Sequence, residues 1–306
     1  MLYISTRNSL DTYTSYSALH EEFSPDGGYY VPFYLPSFSA DALNHFKKNT
    51  LSETISEILN LFFSLRLTAT EIEAAIGSSP LNCVCLNQNL ISAELWHTPE
   101  GDSAYLYKKL NYLMTGKLQL PVGWPRVAIE IALLFSLFGI LPEGEKSFDL
   151  AITADDLSNV TALSFAKAMG LPINLVICAC EDNSAFWNLI NKGEFSTANT
   201  PAYMELFLYK LAGEENVSSY LTAKDNKKTY FIEESLIPIL SERFYTAVVS
   251  NDRADSNISG MFRSNQYALD IGAALAFGSL QDYRAIVGAN KNTLIFVNER
   301  PERIKE

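Results

Sequence analysis

Residues 148–180 constrain the fold more than any other part of the chain. Phe148 to Thr153 is a short apolar run with β-branched residues, as a buried strand requires. Asp155-Asp156 and Ser158-Asn159 follow, supplying a polar turn and candidate helix N-caps. Asn159 to Met169 then carries Val160, Leu163 and Ala166 at helical spacing. Gly170 sits where a C-cap belongs, and Pro172 stops any continuation. Leu175 to Cys180 is a second apolar run. Strand, helix and strand at this spacing form one βαβ unit, which predicts a parallel sheet covered by helices on both faces.

Composition narrows the class. The chain has 306 residues and is 48% hydrophobic, enough for a sizeable core in one or two domains. Its net charge of −12 argues against nucleic acid and against anionic membrane surfaces as partners. Met1 to Pro36 has no apolar h-region of a signal peptide. The longest apolar stretch, Val127 to Leu141, contains Glu130 and is too short to span a bilayer, so it predicts a buried helix. Cys83, Cys85, Cys178 and Cys180 form two C-x-C pairs. Each pair would share one strand face, and the spacing is shorter than zinc sites use. Free thiols in a reducing cytoplasm are the expectation, with no metal site.

Further elements read directly. Helices are predicted over Leu51–Phe63, Thr68–Gly77, Phe186–Lys192, Thr200–Ala212 with Gly213 as cap, and Glu233–Phe244 with Pro238 as an interruption. Strands are predicted at Leu81–Leu86, Thr246–Ser250 and Thr293–Val297. Lys224–Lys228 and Asn251–Gly260 read as polar loops.

Three sets of residues carry a family resemblance. Tyr3, Ser5, Thr6 and Arg7, then Ala18-Leu19, then Asp26-Gly27-Gly28 with Tyr30 and Pro32 make the first. Glu94-Leu95-Trp96-His97 makes the second, and Ala166-Lys167 with Met169 to Ile173 the third. In this order they resemble threonine synthase, a pyridoxal-phosphate (PLP) enzyme of the tryptophan synthase β-like fold. Pro121 to Val127 resembles a later stretch of the same family. The resemblance implies an α/β, three-layer fold with a mainly parallel sheet. It divides the chain into an N-terminal lobe, 1–95, and an α/β lobe, 96–306, in which the small PLP-enclosing domain is deleted after Leu113.

The resemblance also marks where this chain departs from the family. Gapless alignment places Ala104 on the lysine that forms the Schiff base, and alanine cannot form an imine. A shift of four residues would bring Lys108 there instead. Otherwise Lys108 and Lys109 lie on a solvated helix face. The glycine-rich phosphate loop corresponds to Asp155, Asp156, Leu157, Ser158 and Asn159. Carboxylates there oppose a phosphate, although they also suit a helix N-terminus. Asn298 takes the ring-nitrogen position, Glu299 and Arg300 read as a solvated pair, and Asp270 reads as a helix cap. His97, a lone histidine, reads as a packing or hydrogen-bonding residue.

No bound cofactor is therefore expected, PLP being implied by the family alone. The leading expectation is a cytoplasmic, non-catalytic interaction or regulatory protein. Its former cleft would be covered by a partner protein or a second copy, since large apolar patches are rarely left exposed. One alternative is residual threonine synthase chemistry, O-phosphohomoserine to threonine, through Lys108. Another is a small-molecule or cation binder at Asp155 and Asp156.

Overall fold

The computed structural model describes residues 1–87, 89–141, 147–288 and 291–301. Its strands are β1 (Leu2–Ser5), β2 (Tyr13–Thr14), β3 (Tyr30–Pro32), β4 (Asn82–Asn87), β5 (Leu90–Glu94), β6 (Phe148–Thr153), β7 (Ile173–Cys180), β8 (Glu194–Ser196), β9 (Thr229–Phe231), β10 (Phe244–Val248) and β11 (Thr293–Val297). Its helices are α1 (Ser15–His20), α2 (Ala40–Phe46), α3 (Leu51–Phe63), α4 (Ala69–Ile76), α5 (Ser103–Thr115), α6 (Trp124–Ile140), α7 (Ser158–Ala168), α8 (Ala185–Lys192), α9 (Met204–Asp225), α10 (Ile237–Arg243), α11 (Asn251–Asn265) and α12 (Ile271–Val287).

Six strands form the central sheet in the order β10-β7-β6-β11-β5-β4. All neighbours run parallel except the edge strand β4, which is antiparallel to β5. The expected βαβ unit is β6-α7-β7. Alternate residues of its strands feed two cores: Leu150, Ile152, Val176 and Cys178 enter one, and Ala151, Leu175 and Ile177 the other. Helices α11 and α12 cover the second face, and α3, α6 and α7 the first. A buried parallel sheet with helices on both sides accounts for strands that read as continuous apolar runs. Cys178 and Cys180 do share one face, and all four cysteines are free thiols. None of the helices described is long and apolar enough to cross a membrane.

The opening segment is tied down by its own motif. Ser5 and Ser24 donate hydroxyl bonds to Asp26, and the Thr6 hydroxyl accepts from the Tyr29 amide. Arg7 makes a two-pronged contact with Glu205 of α9, with Nε at 3.0 Å and Nη2 at 2.8 Å. Thr6 donates to the same carboxylate at 2.7 Å. The segment is thus clamped to a helix almost 200 residues later.

Several boundaries differ from expectation. Helix α9 does break at Ala212-Gly213, where Gly213 has φ +80, but it resumes and runs to Asp225 through the expected polar loop. Pro238 sits in the first turn of α10 and starts that helix rather than interrupting it. Residues 251–260, read as a loop, belong to α11. Only Ala254, Asn257 and Met261 are buried along it, too few for an apolar stripe to show. The Glu299–Arg300 pair is not formed; the Arg300 guanidinium lies 5.5 Å from the Trp96 ring centre instead.

Gly170 closes α7 with φ +111, and a Cβ there would press into the Phe38 carbonyl oxygen. Gly170→Ala is expected to cost about 2 kcal/mol from backbone strain, before any displacement of Phe38. A urea midpoint unchanged from wild type would contradict this.

Candidate functional site

A cavity of about 340 Å³ opens beyond the carboxyl ends of β5, β6 and β11. Open parallel sheets collect ligands at this end. Its floor comes from Thr153, Leu95, Phe296 and Asn298, and one wall from the start of α7. The opposing wall is built by α5, through Ser103 and Tyr107, and by α6, through Arg126, Glu130, Leu133, Leu134 and Leu137. The sequence predicts a site with no second wall. Here residues 116–123 join α5 directly to α6, and those two helices supply it.

The phosphate-loop residues do converge on this cavity. Asp155, Asp156, Ser158 and Asn159 line it, as does Asn298, while Leu157 is buried at the helix N-cap with φ +69. The Asp156 carboxylate accepts from the Ser158 amide at 2.9 Å, and the Asn159 side chain accepts from the Val160 amide at 2.7 Å. Two leading amides of α7 are therefore held by the chain's own side chains. Asp156 performs the capping expected of the pair; Asp155 does not, accepting instead from the Thr153 hydroxyl at 3.0 Å.

Lys108 is not brought to the cavity. Its Nζ lies 3.4 Å from Glu100, in an exposed pair on α5. Ala104 does not line it either, although Ser103 and Tyr107 on either side do. No lysine lines it among the described residues. His97 also points elsewhere: its Nε2 is 2.6 Å from buried Glu94, which accepts further bonds from Tyr267 and Asn82. That network holds β4, β5 and the segment before α12 together, a bonding role as expected. Asp270 caps α12 and accepts from the amides of Asn298 and Glu299, which fixes Asn298 at the cavity floor.

The residues not foreseen are Arg126, Glu130 and Tyr107. Glu130 Oε1 accepts from Arg126 Nε at 2.7 Å and from the Ser158 hydroxyl at 2.9 Å. Its Oε2 is buried without a partner among the described residues. The Arg126 guanidinium stacks 3.8 Å from the Tyr107 ring centre. Burial pushes the Glu130 carboxyl up to about 7; Arg126 pulls it down, Asp156 pushes it further up, and the Ser158 hydroxyl pulls it down. The signal in the sequence was one glutamate inside an apolar run with an arginine four residues before it. The charged lining is thus one cation and three carboxylates, against an apolar wall. No group of three or more metal-ligating side chains occurs among the described residues.

Comparisons with known proteins agree with this architecture. The family described as the threonine synthase N terminus matches residues 2–79. Threonine synthase-like 2 of Xenopus laevis is 27% identical over 194 residues, covering 58% of this chain and 39% of the relative. Threonine synthase-like 1 of Homo sapiens is 22% identical over 176 residues, 51% of this chain and 24% of the relative. The chain therefore spans well under half the length of these relatives. Among solved structures, PLP-bound threonine synthase from Brucella melitensis superposes with a TM-score of 0.84 at 14% identity, covering 98% of this chain and 89% of that one. The yeast enzyme gives 0.81 at 16% identity, with 97% and 87% covered. At these identities the superpositions speak for the fold alone. The N-terminal segment, the sequence relatives and the shared fold together make this chain a threonine synthase-like protein.

Proposed function

We propose that this threonine synthase-like chain is non-catalytic, and that it acts in the cytoplasm as an interaction or regulatory protein. One observation carries the reading: no lysine lines the cavity among the described residues, and Lys108 is paired with Glu100 outside it. An imine with PLP needs a lysine amine at the aldehyde carbon. The rest of the donor set does not fit the cofactor either. Leading amides of α7 are held by Asp156 and Asn159, and Asp155 and Asp156 would face a phosphate. Titration of the purified protein with PLP, followed by borohydride reduction and mass analysis, is expected to give neither an imine absorbance band nor a covalent adduct. A band that disappears in Lys108→Ala would replace this reading with residual threonine synthase chemistry at Lys108.

The interaction role is supported by the junction where the family's small domain is missing. Tyr112, Leu118, Leu120 and Val122 are all exposed on or beside the α5–α6 connection. A second copy or a partner protein would cover them. Light scattering on wild type and Leu118→Asp/Leu120→Asp is the direct check. Loss of an oligomer in the variant would identify the second copy.

A second reading is favoured by the unpartnered Oε2 of Glu130, together with Asp155 and Asp156 on the same lining. Three carboxylates against one arginine suit a small organic cation whose apolar part rests on Leu133, Leu134 and Leu137. A thermal-shift series with primary amines would show it, and Asp155→Asn should weaken the response.

A further inference from the structure

A second cavity, of about 310 Å³, lies at the other end of α7. Ser158 and Asn159 at the start of that helix face the first cavity, and Lys167 in its last turn faces the second. Lys210 of α9 and Arg243 of α10 complete a group of three cations, with Val176, Phe244 and Ala168 as apolar surface. No carboxylate lines it, in a chain with 35 acidic residues against 23 basic ones.

The local bonding leaves this charge uncompensated. Lys167 Nζ donates to the Asn174 carbonyl at 3.0 Å, a neutral acceptor. Lys210 Nζ lies 5.4 Å from the Phe165 ring centre. No hydrogen bond or ion pair holds Lys210 or Arg243 among the described residues. Burial lowers the affinity of both lysines for their protons, and Arg243 lowers it further. Glu242 and Asp149 act on Lys167 in the opposite sense, but neither lines the cavity.

Each cation taken alone has an ordinary explanation. Lys167 and Arg243 end helices, and Lys210 precedes the break in α9, so each complements the negative end of a dipole. That explanation covers the residues singly. It does not require three helix ends to meet around one space with no acid between them. Like charges held together in a partly buried site repel, and an anion seated among them would reverse the sign of that cost.

We propose that this cavity is an anion site for a phosphate group, either free or as the monoester of a small organic body. Its volume is near the lower end of the roughly 300–1,000 Å³ common for small-molecule sites. The apolar surface of Val176 and Phe244 leaves room for a short carbon chain beside the anion. The site is independent of the first cavity and of whether that cavity retains any chemistry.

Calorimetry and thermal shift on the full chain would test this, with inorganic phosphate and glycerol 3-phosphate as probes and sodium chloride at matched ionic strength as control. Both probes are expected to raise the melting temperature. Arg243→Gln and Lys210→Gln should each weaken binding about tenfold, whereas Lys117→Gln, an exposed lysine elsewhere, should not. Tighter binding of the ester would assign the site to a phosphorylated metabolite, and equal binding to the free ion. Without ligand, Arg243→Gln should melt no lower than wild type, because it removes repulsion. Absence of a response to both probes at about 10 mM would overturn the proposal. So would a response that survives Arg243→Gln/Lys210→Gln, or a loss of stability in ligand-free Arg243→Gln, the mark of cations that serve only their helices.

Discussion

Trp124→Ala is expected to lower the unfolding free energy by about 3–5 kcal/mol, the range for removing a large buried aromatic. Trp124 is fully buried at the first residue of α6. Its ring centre lies 5.4 Å from that of Phe62, 6.3 Å from Tyr3 and 5.0 Å from Phe165. Those partners belong to α3, β1 and α7. The indole is therefore the joint at which the N-terminal segment, the apolar helix and the βαβ unit meet. Deleting it empties a space bounded by three elements that hold one another in place, and such a site collapses poorly. Domains are stable by only about 5–15 kcal/mol, so the loss is a large share of the total. Urea unfolding should show a lower midpoint with an unchanged slope, and Trp124→Phe should recover more than half of the difference. A loss under about 1 kcal/mol would mean that the N-terminal segment is not stabilised through this contact.

Trp124 also illustrates what the sequence could and could not convey. Its local motif, Pro121 to Val127, was legible as the start of an apolar helix, because Gly and Pro punctuate it. Its neighbours in space were not. The βαβ unit at residues 148–180 was legible for a similar reason: apolar runs, turn residues and helical spacing all agree there. Ser5, Thr6, Arg7 and Asp26 to Gly28 stood out as a motif, yet Glu205, the carboxylate that clamps Thr6 and Arg7, comes from α9. Nothing local to α9 marks Glu205 as their partner. Helix α11 was missed because most of its surface faces solvent, so its short apolar stripe did not rise above the polar background.

The first cavity was half visible. Asp155, Asp156, Ser158, Asn159 and Asn298 could be named because each replaces a family residue at an aligned position. Arg126 and Glu130 could not, since their role comes from the way α6 packs over α7 and brings Ser158 to Glu130. The basic cavity was wholly hidden in the sequence. Lys167, Lys210 and Arg243 are separated by 33 residues or more, and each reads locally as an ordinary surface cation.

The same buried pair yields the other large effect. Arg126→Leu is expected to destabilise the protein by about 3–5 kcal/mol above neutral pH, because it leaves Glu130 buried without its cation. The direction with pH follows from the carboxyl's position in each state. In the unfolded chain Glu130 loses its proton near its ordinary value of 4.5; in the folded chain burial holds that proton to about 7. Between those values the folded state carries the extra proton, so this group's contribution to stability falls as pH rises and levels off above about 7. Arg126 is the strongest influence holding the folded value down, so its removal moves that value higher and extends the falling range upward. The deficit of Arg126→Leu relative to wild type should therefore be small near pH 5, where Glu130 is neutral in both folded proteins. What remains there is the lost stacking on Tyr107, about 1 kcal/mol. By about pH 8 the deficit should reach its full size. Adding Glu130→Gln to Arg126→Leu should restore much of the loss at pH 8 and little at pH 5. Urea unfolding of the four proteins at both pH values gives the comparison directly. A deficit of equal size at the two values would mean that Arg126 acts through its packing on Tyr107 and not through the charge of Glu130.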